Sequence, residues 1–350
     1  MLCFGMNEET LKKLLAGIPG HPVGVLGDFC VDAYWELRPE LGEPSIETGI
    51  VTTPVGAARY APGGAGNVAA NLHGLGAKQV SCFGAVGNDP FGRWLADALF
   101  PDVREGDRLL RIARREYHTP VYCKPLLAGR EQSRFDLGGA PPDDGEAAEL
   151  LRAVESALPE LDVLIVNQQL RGGIHTEYFR RGFSALLERA PRKPAVVFDG
   201  REHLDAYRGV ILKVDAAAAS RLACGRPDAP PEESGRALRE LTGNDVVVTD
   251  GANGCFVRDG GGTAFVPAIR VTGPVDTVGA GDSFTSGFAL ALACGSAMAE
   301  AAEFGALCAA VTIRKLGQTG VPSPAEILEL RSYGRQDAKC RGCGDILGAL

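Results

Sequence analysis

The segment Val275 to Leu292, VDTVGAGDSFTSGFALAL, holds the residue types best suited to chemistry. Gly279, Ala280 and Gly281 run straight into a stretch of small and apolar residues that reads as a helix beginning near Asp282. Small residues let backbone N–H groups converge on one point, and a helix N-terminus adds positive partial charge there. The product is an anion cradle with a carboxylate beside it. Such amides stabilise charge developing on a phosphoryl group, and the aspartate can accept a hydroxyl proton. An aspartate N-cap after a glycine-rich turn has the same letters, so spacing alone leaves both readings open.

Elements that could position this segment follow from the rest of the chain. PVGVLGD (Pro22 to Asp28) reads as a buried first strand, and GNVAANLHGLGAK as a helix stopped at Gly76. From Pro142 strands and helices alternate: DVLIVN, EYFRRGFSALLERA, PAVVFDG, GVILKVD, EESGRALRELTG, DVVVTDG, then a hairpin turning on Gly260–Gly262 and two helices. Alternation of this kind predicts an α/β fold, a doubly wound and mostly parallel sheet covered by helices. Two Pro- and Gly-punctuated extended stretches fit that sheet poorly and predict a small β-sheet lid. The expected division is 1–32, 63–110 and 138–335 for the main domain, 33–62 and 111–137 for the lid, and 336–350 for a C-terminal tail.

Composition narrows the function. Lys+Arg 36 against Asp+Glu 44 gives a net charge of −8, so no overall basic field attracts nucleic acid or an anionic membrane. No stretch approaches the apolar length of a membrane span, and MLCFGMNEETLKKLL lacks the pattern of a secretory leader; a cytoplasmic location is expected. The 10 cysteines sit mostly in apolar segments and read as reduced thiols. Cys340 and Cys343 lack a second pair with zinc spacing and are expected in a solvated tail.

DTVGAGD resembles the C-terminal signature of the ribokinase-like (PfkB) sugar kinases. APGGAGNVAANLHGLGA resembles their N-terminal signature, and FGAVGNDPFG follows as it commonly does in that family. The similarity runs from Pro22 to about Leu330, and GDFCVDAYW, YRGVILKVD and KLGQTGVPSPAEIL look most like heptose-7-phosphate kinases, here expected as the kinase portion alone. The resemblance implies a ribokinase-like fold and phosphoryl transfer from ATP with Mg²⁺ to a sugar or sugar-phosphate hydroxyl, heptose 7-phosphate at O1 included. It implies Asp282 as base and Gly279, Ala280 and Gly281 as anion hole. Asp28, Asp32, Gly63, Gly64 and Asn67 would hold sugar hydroxyls, and Arg134 the sugar or its distal phosphate. Lys213, Thr249, Gly251 and Gly254 would line the nucleotide side, Asp215 would serve Mg²⁺, and Asp276 a monovalent cation such as K⁺, as in some relatives. A homodimer through the lid is the expected assembly.

Simpler readings stand beside several of these residues: a strand-end turn for Asp28, helix or strand caps for Asn67 and Asp276, turn geometry for Gly251 and Gly254, a surface ion pair for Arg134. The sequence also departs from the family. Asp215-Ala216-Ala217-Ala218 replaces Asn-x-x-Glu, losing a glutamate that helps organise Mg²⁺, while VNQQLRGG and FDGREH differ from heptose kinases. A kinase-fold binding module with weakened chemistry is therefore the competing function. A dinucleotide enzyme, prompted by Gly64-Ala65-Gly66, is disfavoured because no buried strand precedes that run.

Overall fold

The computed structural model describes residues 6–100, 117–317 and 319–341, with side chains described as far as residue 332. In chain order the elements are α1 (Glu8–Gly17), β1 (Val23–Gly27), β2 (Phe29–Leu37), β3 (Val55–Gly64), α2 (Ala65–Gly74), β4 (Val80–Phe83) and α3 (Pro90–Leu99). There follow β5 (Val121–Leu127), β6 (Arg130–Glu131), β7 (Phe135–Leu137), α4 (Asp144–Ala157), β8 (Val163–Gln168), α5 (Glu177–Arg189), β9 (Ala195–Gly200) and β10 (Ile211–Asp215). The last group is α6 (Ala216–Cys224), α7 (Pro231–Thr242), β11 (Asp245–Thr249), β12 (Gly254–Asp259), β13 (Gly262–Pro267), α8 (Ala280–Ala293), α9 (Met298–Thr312) and α10 (Pro324–Arg341).

The main sheet has the order β13-β12-β11-β10-β9-β8-β1-β4. From β4 to β11 neighbours are parallel, and the β12–β13 hairpin closes the edge antiparallel. Successive side chains of a strand point to opposite faces, and both faces here are apolar. Val25, Ile165 and Val247 pack with Phe284 and Phe288 of α8 and Phe304 of α9. Their neighbours Leu26, Val166 and Val248 pack with Leu150 of α4, Phe183 of α5 and Leu238 of α7. This is the doubly wound, mostly parallel and helix-covered architecture that the alternation predicts. α8 is apolar almost all round because it lies between the sheet and α9; an added Cβ at Gly287 would stand 2.6 Å from Cys308 Sγ. Close packing of α8 fixes the height at which its N-terminus meets the sheet edge.

The sequence reading passed over α6, whose run of alanines has no polar face to mark a period. Its start is set by Asp215, whose Oδ1 accepts the Ala218 N–H at 2.8 Å.

A second sheet, ordered β3-β2-β5-β6 with β7 also on β5, projects from the same edge. β2 pairs antiparallel with β3 and parallel with β5. Its first two strands, β2 and β3, run from Phe29 to Gly64, wider than the 33–62 window, because a single residue, Asp28, separates β1 from β2. Residues 111–116 of the expected lid, and Cys343, lie outside the described residues, while 336–341 of the expected tail continue α10. β3 does lead into α2 through Gly64, at φ +54°, but its outer part is exposed and it belongs to the small sheet, which is not the setting of a dinucleotide fingerprint.

Candidate active site

Parallel strands of an open sheet finish at one edge, and ligand crevices form outside it. Here β9 ends at Asp199 and Gly200, β10 at Asp215 and β11 at Thr249; the N-terminus of α8 descends onto the same edge, and the small sheet rises beyond it. Between them is a cavity of about 410 Å³. Its wall includes Asp32, Gly64, Asn67, Arg134, Lys213, Asp215, Thr249, Gly279, Gly281 and Asp282 among the residues singled out in the sequence.

Asp282 lies at the base of this space. The cap of α8 is Gly279, at φ +80° and with no side-chain cap, which settles the alternative raised by the sequence: Asp282 is in the first turn and is not the cap. Gly279 also has no room for a side chain, since a Cβ there would come within 2.7 Å of Thr319 Cγ2 and 3.0 Å of Asn67 Nδ2. The Ala280 N–H is bonded to Thr277 O at 3.2 Å, whereas the amides of Gly281 and Asp282 have no carbonyl partner among the described residues. They are the free donors of the cradle.

Asn67 Nδ2 donates to Asp282 Oδ2 at 2.6 Å, and Asn71 Nδ2 in turn donates to Asn67 O at 2.8 Å and Oδ1 at 3.0 Å. The second amide fixes the orientation of the first, so that Asn67 presents its NH₂ to the carboxylate. Next to this pair Ser286 Oγ of α8 lies 2.8 Å from Asp282 O in its own helix and 3.1 Å from Val68 O of α2, two acceptors for its one hydrogen. Burial raises the Asp282 pKa from 3.8 to about 6, against the opposing Asn67 bond, with the nearby Asp199 charge adding to the rise. A base of this pKa is ionised near neutrality yet basic enough to take a proton. The rate at limiting acceptor should therefore climb with pH up to about 6 and then level off, because only the ionised form accepts the proton. A kcat/KM profile without an acid limb near that value would contradict this assignment.

Other positions fall into three groups. Asp32 pairs with Lys124 at 2.9 Å, and Lys124 lies over the Tyr34 ring, 4.9 Å from its centroid. Arg134 is exposed, bound to Asp136 at 2.6 Å and stacked 4.5 Å from the Tyr122 centroid, so its guanidinium is both paired and on the cavity wall. Thr249 and Lys213 reach the cavity from β11 and β10, and Asp215 Oδ2 has no partner among the described residues while Oδ1 caps α6.

Asp28 is placed elsewhere. It is 2% exposed, does not line the cavity, and accepts the N–H groups of Gln169 and Leu170 on Oδ2 at 2.8 Å and of Ile174 on Oδ1 at 2.9 Å. Any side chain at Gly173 would collide with that carboxylate. Gly63 lies behind the wall, where a Cβ would meet Cys30 Sγ at 2.8 Å. Gly251 and Gly254 adopt φ of +51° and +113° in the β11–β12 turn and do not line the cavity. Asp276 accepts Val278 N–H at 3.0 Å and Gly317 N–H at 2.9 Å, and Arg59 of β3 donates to Gly317 O at 2.5 Å.

Sequence reasoning did not single out Lys124, Asp199 or Arg201, all of which line the cavity. A lysine inside the apolar strand VYCKPLL and an acid at the end of PAVVFDG were the available signals.

The profile of the pfkB family carbohydrate kinases matches residues 146–326, just over half of the chain. The chain belongs to this family. It is therefore a carbohydrate kinase by descent, a phosphotransferase with an alcohol group as acceptor. Among its curated relatives, bifunctional protein HldE of Azorhizobium caulinodans is 31% identical over 323 residues, covering 90% of this chain and 65% of its own length. Bifunctional protein HldE of Caulobacter vibrioides is 28% identical over 340 residues, covering 91% and 65%. The kinase thus spans about two thirds of these relatives. Solved structures share its fold: Escherichia coli phosphofructokinase-2 in complex with potassium (TM-score 0.70, 21% identity, 89% of this chain and 99% of that one) and Arabidopsis thaliana ribokinase complexed with ribose and ATP (0.67, 24%, 89% and 98%). No described helix of the kinase is long and apolar enough to cross a membrane.

Proposed function

We propose that this kinase transfers the γ-phosphoryl group of Mg·ATP to a hydroxyl of a phosphorylated sugar, heptose 7-phosphate at O1 being the first choice. The observation that carries the reading is the carboxylate of Asp282 beside the unpartnered Gly281 and Asp282 amides at the base of one cavity. The acceptor oxygen attacks the γ-phosphorus, the bond from that phosphorus to the β–γ bridging oxygen breaks, the hydroxyl proton goes to Asp282, and ADP leaves. The free amides take the charge that builds on the phosphoryl oxygens.

A phosphorylated acceptor is favoured over a neutral one by the cations on the cavity wall. Lys124, Arg134 and Arg201 all stand there, and Asp32, paired with Lys124, would bond a sugar hydroxyl. Guanidinium groups match phosphate oxygens in geometry as well as charge. The HldE relatives make a heptose phosphate the natural member of the class to try first.

Among the described residues no group of three or more His, Cys, Asp or Glu is arranged to hold a metal unaided. That suits Mg²⁺ delivered with a nucleotide, which keeps several waters and leans on phosphate oxygens; the free Oδ2 of Asp215 would meet its hydration shell. When bound, Mg²⁺ would neutralise charge on the phosphates. A monovalent cation at the Asp276 turn, closure of the small sheet as a lid, a dimer through its exposed face and a cytoplasmic location belong to the same proposal. The exposed Val55, Tyr60 and Leu127 would give the dimer its apolar contact.

The test is an ADP-release screen of sugars and sugar phosphates with Mg²⁺, heptose 7-phosphate included. Turnover with a phosphorylated acceptor is expected, and Arg134→Ala should raise its KM about tenfold, the loss of one charge-assisted contact. Turnover only with neutral sugars would refute the phosphate reading, and none with any acceptor would favour a binding module.

A further inference from the structure

Beneath the N-terminus of α8 is a buried ion pair whose role the transfer step does not yet explain. Lys213 on β10 has a side chain only 8% exposed, and its Nζ lies 3.1 Å from both oxygens of Asp199 on β9. Asp199 Oδ2 also receives the hydroxyl of Thr285 at 2.7 Å. Thr285 is on α8, one turn beyond Gly281, and its Oγ is 2.9 Å from Gly281 O as well. A hydroxyl has a single hydrogen, and the shorter contact to an ionised acceptor is where it goes.

This arrangement aims the ammonium. A Cβ built on Gly281 would be 3.3 Å from Lys213 Nζ, so the cation lies directly against the residue that supplies a free cradle amide. An ammonium has three N–H bonds, and Asp199 engages two of them, which leaves one for an anion in the cradle. A free lysine side chain has four rotatable bonds to order; here Asp199 has ordered it before any ligand arrives.

We propose that Thr285 and Asp199 are positioning residues that hold the Lys213 ammonium at the anion cradle, where its remaining N–H meets the phosphoryl group in transit. Thr285 links the helix that bears Asp282 to the strand pair that bears the cation, so the base and the cation keep one spacing. The inference rests on the kinase reading and extends it to the residues behind the cradle.

Thr285→Val keeps the shape and removes the hydroxyl, and Thr285→Ser restores it. Calorimetric titration with ADP and Mg²⁺, with and without aluminium fluoride as the phosphoryl mimic, reads the effect without turnover. The Val variant should bind the fluoride complex about tenfold more weakly while its ADP affinity stays within twofold, and Ser should recover most of the difference. With heptose 7-phosphate as acceptor, kcat should fall by a similar factor and KM for ATP should hold. Equal losses for ADP and the fluoride complex, no loss at all, or failure of Ser to restore binding would overturn the proposal. Should the Val variant not fold, Asp199→Asn, isosteric and lacking the negative charge, makes the same comparison. If the unaltered protein gains nothing from fluoride over ADP, the kinase reading itself fails; if it gains and the variants gain equally, only the positioning role does.

Discussion

Asp282→Asn is expected to lower kcat by about 10²- to 10⁴-fold, the usual contribution of a positioned general base, while ATP affinity stays within a few-fold. The amide has nearly the same shape and can still be held near Asn67, so the cradle and the fold survive; what disappears is a site for the acceptor proton. The acid limb near pH 6 should vanish with it, since it reports this carboxylate. Steady-state kinetics and nucleotide titration on the same preparation decide the matter. Unchanged turnover would remove Asp282 from the chemistry and leave the cradle as a binding feature only.

The second large effect falls on stability. Asp28→Ala takes away the acceptor for three N–H groups, a buried one at Ile174 and two half-buried ones at Gln169 and Leu170. An unsatisfied buried donor costs about 1–3 kcal/mol and a half-buried one less, so a loss of about 2–3 kcal/mol is expected, with a fall in Tm on the order of 5 °C. The space left beside Gly173 is small and polar, and a water there would recover part of the loss. Well below the melting transition the acceptor KM should change by no more than a few-fold, because the carboxylate does not itself reach the cavity and acts there only through the backbone of Gln169 on the wall. A large rise in KM at unchanged Tm would return Asp28 to the sugar site, where the family resemblance had put it.

These two aspartates show what could be seen in the sequence. The anion cradle and its base occupy one contiguous turn, Gly279 to Asp282, so their geometry follows from local rules for glycine and helix ends. The doubly wound sheet was equally legible, because strands such as β8 and β11 are buried on both faces and read as continuous apolar runs. Asp28 was misleading: its fate is decided by residues 169–174, and nothing near it in the chain says that their amides will close around it. Lys124 and Asp199 went unnoticed for a related reason. Each is a single charged residue in or after an apolar strand, and only the pairing of β2 with β5, or of β9 with β10, shows which opposite charge it meets. The missing glutamate at Ala218 was plain in the sequence; that Asp215 would still start α6 and keep an oxygen toward the cavity was not.

The bond from Arg59 to Gly317 connects the small sheet to the loop that follows α9. Arg59 leans on Tyr34, which neighbours the Asp32–Lys124 pair, while Gly317 is fastened through Asp276 to the turn that precedes the cradle. On the proposed assignment, recognition of the acceptor and shaping of the phosphoryl pocket would be arranged in series, like links of one mechanical chain. Any excursion of the small sheet must either break at that single carbonyl or pull on the loop that sets where the transferred group will rest.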